Sequence, residues 1–128
     1  MKTLTENAIT QSLEDYLEAI YMLISENKPA QVRDIARILS VKMPSVVKAV
    51  HELKNLELVT QEPYAPIKLT EKGLDLASDI MKRHVLLKEF LLKLGVSRHT
   101  ADRDACLMEH ILSAETLDKI RSYTEKTR

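Results

Sequence analysis

Apolar residues recur along most of this chain at the three-to-four-residue spacing of one helix face. Leu13, Leu17, Ile20 and Ile24 form the first such stripe; Ser12 is placed to cap it, and Asn27-Lys28-Pro29 ends it. Asp15 and Glu18 share a different face of that helix. Val32, Ile35, Ala36 and Leu39 predict a second helix of about two turns, and a tight connection through Ser40-Val41-Lys42-Met43 follows. Pro44 suits the first turn of a third helix, because the N–H it lacks would be unpaired there anyway. Val46, Val50 and Leu53 are that helix's buried stripe, and Ser45, Lys48 and His51 lie on its other side. After Leu56 the period changes: LVTQ, EPYAP and IKLT read as two short strands around a proline-bounded turn. Thr70 then opens a long helix carrying Leu74, Ala77, Met81, Leu87, Phe90 and Leu91, closed by Gly95. Ser97 caps a fifth helix reaching about Leu112, and Glu115 to Thr124 forms a sixth. With 2 glycines and 1 phenylalanine, the chain is expected to be mainly α.

A short helix, a tight turn, a second helix opened by polar and basic residues, and a small hairpin make up a winged helix-turn-helix. Such a unit lays its second helix in the DNA major groove. The expected organisation is a DNA-binding domain over residues 1–70 and a helical metal-binding and dimerisation layer over residues 71–128. Net charge is zero, yet its distribution is uneven: residues 28–68 carry 7 Lys or Arg against 4 acids, whereas residues 1–27 carry 1 Lys against 5 acids. The basic excess falls on the reader. Lys42, Pro44, Ser45 and Lys48 sit at the start or outer face of the recognition helix, and Tyr64 and Lys68 belong to the wing. Any one of these lysines alone reads as a solvated surface residue; their joint placement carries the assignment. A winged helix used only for protein contacts is the competing reading, and the basic bias argues against it. Dimers of such units bind paired half-sites, and the apolar helices after the wing need a partner surface, so a homodimer on double-stranded operator DNA is expected.

No apolar run resembles a signal peptide or a membrane span, so a cytoplasmic protein without membrane association is expected. The single cysteine, Cys106, cannot form an internal disulfide and by base rate would be buried. It belongs to CLMEH, where Cys106, Glu109 and His110 at i, i+3 and i+4 fall on one helix face. Asp15, Glu18 and His84 complete six candidate metal ligands. Four are anionic when bound, and gathering them without a cation would cost repulsion and desolvation. Taken separately, Asp15 and Glu18 read as a solvated face and His84 as an edge-of-core histidine. Two other functions compete: a metal-independent winged-helix regulator with Cys106 as redox sensor, and a hydrolase built on Cys106 and His110. The second lacks an oxyanion-hole glycine motif, and no enzyme or small-molecule substrate is expected.

SLEDYLEAIYML, VRDIARILSVKMPSVVKAVHELKNLELV, IKLTEKG, KRHVLLKEFL and EHILS, in that order, resemble the diphtheria toxin repressor and manganese transport regulator family over roughly residues 12–124. The resemblance implies a winged helix followed by a dimerisation layer. It also implies a repressor that binds operators when loaded with Fe2+ or Mn2+ and controls metal-homeostasis genes. Asp15, Glu18, His84, Glu109 and His110 match ligand positions of the manganese branch. Cys106 departs from that branch, which has a carboxylate there; the iron branch has a cysteine but carries methionine at the position of Asp15. Lys88 stands where the iron branch has an acidic ligand of an ancillary site, so the architecture is similar to the short manganese branch. Carboxylates and imidazoles suit Mn2+ or Fe2+, whereas a thiolate favours softer or later metals such as Fe2+, Co2+ or Zn2+; Mn2+ or Fe2+ is expected, with Co2+ or Zn2+ also binding in vitro.

Overall fold

The computed structural model describes residues 9–127. It contains α1 (Gln11–Ser25), α2 (Val32–Leu39), α3 (Met43–Asn55), β1 (Val59–Thr60), β2 (Lys68–Leu69), α4 (Glu71–Lys93), α5 (Arg98–Met108) and α6 (Ala114–Lys126). The chain divides into two compact units, Thr10–Ser78 and one built around Asp79–Arg128, with the division inside α4. No described helix is long and apolar enough to cross a membrane.

In the first unit α1, α2 and α3 pack on one another around Leu17, Ile20, Ile35, Val46 and Leu53, all completely or almost completely buried. The cap of α1 is Thr10, not Ser12: Thr10 is extended and its hydroxyl accepts from the Leu13 N–H at 3.1 Å, which leaves Ser12 as the second residue of the helix, within its first turn and exposed. Pro44 lies in the first turn of α3 as its missing donor requires. The hairpin is shorter than its sequence suggests, two residues per strand, antiparallel with Val59 opposite Leu69 and Thr60 opposite Lys68. A further bridge from the Ile67 N–H to the Ala30 carbonyl at 2.9 Å ties the wing to the start of the α2 segment.

One joint locks reader helix, wing and α4 together. The Thr70 hydroxyl donates to the Glu57 carbonyl at 2.7 Å and accepts from the Gly73 N–H at 3.0 Å, so one side chain caps α4 and ties it to the end of α3. The Lys72 ammonium donates to the Leu56 carbonyl at 3.2 Å. This approach demands glycine at 73, because a Cβ there would lie 1.9 Å from the Leu58 carbonyl oxygen. In the LTEKG segment Thr70, Lys72 and Gly73 thus make the joint, and Glu71 opens the helix at its positive end. Leu74, expected in the buried stripe of α4, is 47% exposed; Ala77 of the same stripe is buried, and so is Ile80, which the stripe did not include.

In the second unit Leu87, Leu91, Ala101, Ala105 and Leu117 form the buried core, with Phe90, Val96, Met108 and Ile120 packed against it. Phe90 and Tyr123 add an edge-to-face ring pair at 6.0 Å. Helix α4 closes on Gly95 at φ 96°, with the Gly95 and Val96 N–H groups bonded to the Leu92 and Leu91 carbonyls. Helix α5 ends at Met108, short of the expected end at about Leu112, with Glu109 as its C-cap.

Candidate metal centre and nucleic-acid surface

Helices α4 and α5 bring His84, Cys106 and Glu109 together: one ligand atom from each lies within 4.8 Å of the other two. Cys106 and Glu109 are i and i+3 on α5 and its cap, the spacing that places them on one face. The shorter helix changes the position of His110, which follows the cap in a turn. Its ring is buried, with Nε2 3.6 Å from Glu109 Oε1. Cys106 is exposed as a residue, against the base-rate expectation, while its sulfur faces the cluster.

Glu109 is 1% exposed, and neither carboxylate oxygen has a hydrogen-bond partner; the His84 Nδ1, 3.4 Å away, also lacks one. A buried carboxylate is normally satisfied by several donors, so oxygens and an imidazole nitrogen left facing one another mark a place where a cation fits. The same geometry explains the protonation of the metal-free site. The Cys106 thiol and the Glu109 carboxylate, with Asp102 behind them, outweigh burial and push the His84 pKa from 6.5 up to about 11. At neutral pH a proton occupies the place a metal would take.

Asp15 and Glu18 lie on α1 in the first unit. Asp15 is half-buried and Glu18 is 8% exposed, so neither stands on an open solvated face. In the same unit Lys42 is the N-cap of α3, and Pro44, Ser45 and Lys48 are exposed on its first two turns. Tyr64 is fully exposed in the loop of the wing with a left-handed backbone, φ 63°, and Lys68 is exposed on β2. All six residues expected at DNA therefore reach solvent. Met43 and Val47, 51% and 56% exposed, extend that face and were not singled out by sequence. Apolar side chains at the start of a recognition helix suit contact with thymine methyl groups.

Residues 8–67 match the iron dependent repressor N-terminal DNA binding domain, and residues 70–128 match its metal binding and dimerisation domain. The chain belongs to this family of metal-dependent transcriptional repressors. Among the iron-dependent repressors and their relatives, it is 41% identical over 120 residues to an uncharacterized HTH-type transcriptional regulator of Methanocaldococcus jannaschii, covering 92% of this chain and 96% of that one. It is 43% identical over 111 residues to the HTH-type transcriptional regulator MntR of Geobacillus kaustophilus, covering 87% and 79%. The solved manganese regulator SloR superposes with a TM-score of 0.81 at 30% identity over 91% of this chain, which spans about 55% of the length of SloR. The iron-dependent repressor fold accounts for the order of elements, and membership makes residues 70–128 a divalent-metal-binding domain.

Asp102 escaped the sequence reading. It lies four residues before Cys106, so the helical spacing that joined Cys106 to Glu109 also placed it on the same side of α5. Its Oδ1 stands 3.0 Å from His84 Nε2 and 3.4 Å from Lys88 Nζ, and His84, then Lys88, hold its carboxyl below the ordinary range.

Proposed function

We propose that the protein is a metal-activated repressor, a homodimer that binds double-stranded operator DNA when a divalent metal, Mn2+ or Fe2+, is loaded. The convergence of His84, Cys106 and a buried, hydrogen-bond-free Glu109 carries this reading. His84, Cys106, Glu109 and His110 hold the metal from the domain at 71–128, and residues 1–70 read DNA. Asp15 and Glu18 join the ligand set on sequence resemblance alone. The bound cation supplies positive charge that relieves Glu109 and the Cys106 thiolate of their repulsion.

Each residue then has a task. The His84 Nδ1 gives up its proton to become a ligand, Glu109 contributes a carboxylate already stripped of water, and Cys106 narrows the choice among metals. Lys42, Ser45, Lys48 and Lys68 engage phosphates or base edges, Pro44 fixes the helix start, and Tyr64 extends the wing. Val85, Leu94, Leu107 and Ile111 are 56–71% exposed in the metal-binding unit, apolar surface that a second copy would cover. Operator binding places the protein in the cytoplasm with the chromosome, and no catalytic role is assigned to it.

An operator titration tests the reading, run anaerobically with chelator and then with Mn2+, Fe2+, Co2+ and Zn2+ in turn. Metal should tighten binding, and Glu109→Ala, His110→Ala or Asp15→Ala should remove that gain while leaving a folded dimer. Equal operator binding by chelator-treated and metal-loaded protein sinks it. A peroxide response abolished by Cys106→Ser, with Asp15→Ala neutral, would favour a redox sensor instead.

A further inference from the structure

We infer that Asp102 and Lys88 are a positioning pair that fixes His84 with Nδ1, not Nε2, as its metal-binding nitrogen; this rests on the metal-centre reading above. The two ring nitrogens of His84 face different surroundings. Nδ1 points to Oε2 of Glu109, a member of the cluster, at 3.4 Å, whereas Nε2 bonds Asp102 Oδ1 at 3.0 Å. Only the Nε2–H form can donate to a carboxylate on that side, so Asp102 selects the tautomer whose free lone pair is on Nδ1. The ring is also held in orientation, since a turn about its bonds to α4 would break the Nε2 contact.

Asp102 is not itself a ligand: it stands on the far nitrogen and lies outside the three-residue cluster. Lys88, one helical turn beyond His84 on α4, places its ammonium 3.4 Å from the same Asp102 oxygen. That contact pins a carboxylate whose side chain is 56% exposed and would otherwise swing freely. A second cation shared by His84 and Asp102 is disfavoured on the same ground, because the lysine ammonium already fills the cationic place beside that oxygen.

An exposed ion pair contributes little to stability, so the role separates cleanly from a structural one. The experiment uses the full chain as wild type, Asp102→Ala, Asp102→Asn and Lys88→Met, titrated with Mn2+ and Zn2+. In parallel, histidine-15N NMR is recorded on the Zn2+-loaded proteins. Asp102→Ala should lose roughly 10- to 100-fold in metal affinity with unchanged metal-free circular dichroism. The His84 Nε2–H signal should exchange slowly in the wild type and broaden or disappear in Asp102→Ala. Asp102→Asn, which keeps an acceptor oxygen, should recover part of both, and Lys88→Met should show a smaller loss in the same direction. His84 bound to Zn2+ through Nε2, or Asp102→Ala binding both metals like wild type with its Nε2–H signal intact, overturns the assignment. A wild type that takes up neither metal overturns the underlying metal-centre reading as well, an outcome distinct from either.

Discussion

The joint at Leu56–Leu58 and Thr70–Gly73 and the centre at His84, Cys106 and Glu109 are built on opposite principles. At the joint, polar groups meet their partners within the chain: hydroxyl to carbonyl, N–H to hydroxyl, ammonium to carbonyl. At the centre, a buried carboxylate and an imidazole nitrogen are left without hydrogen bonds. The joint is complete as folded, whereas on the proposed reading a cation would complete the centre. A regulator needs both, because a DNA-reading unit must keep its shape with or without signal, and a sensor must gain stability from the signal alone.

The largest expected effect breaks the joint. Gly73→Ala forces a Cβ against a backbone oxygen at 1.9 Å, and neither partner is a flexible side chain that can move away. Urea unfolding should show a loss of about 3 kcal/mol or more, equal with and without metal. If the variant were as stable as wild type, the close packing of α4 on Leu58 would be wrong. Glu109→Gln tests the other side. Free metal at 100 times its Kd should stabilise wild type by about 2.7 kcal/mol and leave the variant unmoved. Metal-free helix content should be the same in both. A full metal increment in Glu109→Gln would remove the buried carboxylate from the site.

The comparison sharpens further with pH. The folded-state pKa of His84 is raised from 6.5 to about 11 by Cys106 and Glu109. Its charge therefore stabilises the metal-free fold fully below about 6.5, and that contribution is lost as pH rises through about 11. Metal competes for the same nitrogen. In the Cys106→Ser background, which removes the thiol proton from the count, its affinity should rise about tenfold per pH unit between roughly pH 6 and pH 8, one proton being released per metal bound at His84. Calorimetry in buffers of different ionisation enthalpy counts that proton, and affinity flat across this range would show that His84 is not a ligand. Operator affinity of metal-free protein carries no such slope from this group.

Apolar periodicity located α1 to α4, because each stripe is set by local 3.6-residue geometry that needs no knowledge of neighbours; Ser97 marked the start of α5, and the change of period around the prolines marked the hairpin. Ends were harder. Ser12 and Thr10 are both competent caps, and only backbone conformation decides that Thr10 is the extended residue. Helix α5, read through to about Leu112, ends at Met108; Met108 and Leu112 both pack on the core, one from the helix and the other from the chain beyond it. For the centre, His84, Cys106 and Glu109 were legible as ligand types at suitable spacing. Asp102 was not, since an aspartate on a charged helix is indistinguishable from a solvated one until His84 is seen 3.0 Å away.

The smallest expected effect returns to helix ends and sets one residue of the joint against its counterpart in the second unit. Helices α3 and α4 close in the same way, with two N–H groups turned back onto the last carbonyls: Glu57 and Leu58 onto Lys54 and Leu53, Gly95 and Val96 onto Leu92 and Leu91. The left-handed residue is glycine in one and Glu57, φ 62°, in the other. A side chain there crowds its own carbonyl, and the joint holds Glu57 in place through Thr70 nonetheless. Glu57→Gly should therefore stabilise by roughly 0.5–1 kcal/mol, offset in part by the greater freedom of glycine when unfolded. In the Thr70→Val background, which deletes the hydroxyl contact, the gain should persist, because the strain belongs to Glu57 itself. Urea midpoints of the four proteins in the double-mutant cycle decide it: a gain that vanishes without Thr70 would mean the carbonyl contact, and not backbone strain, is what Glu57→Gly alters.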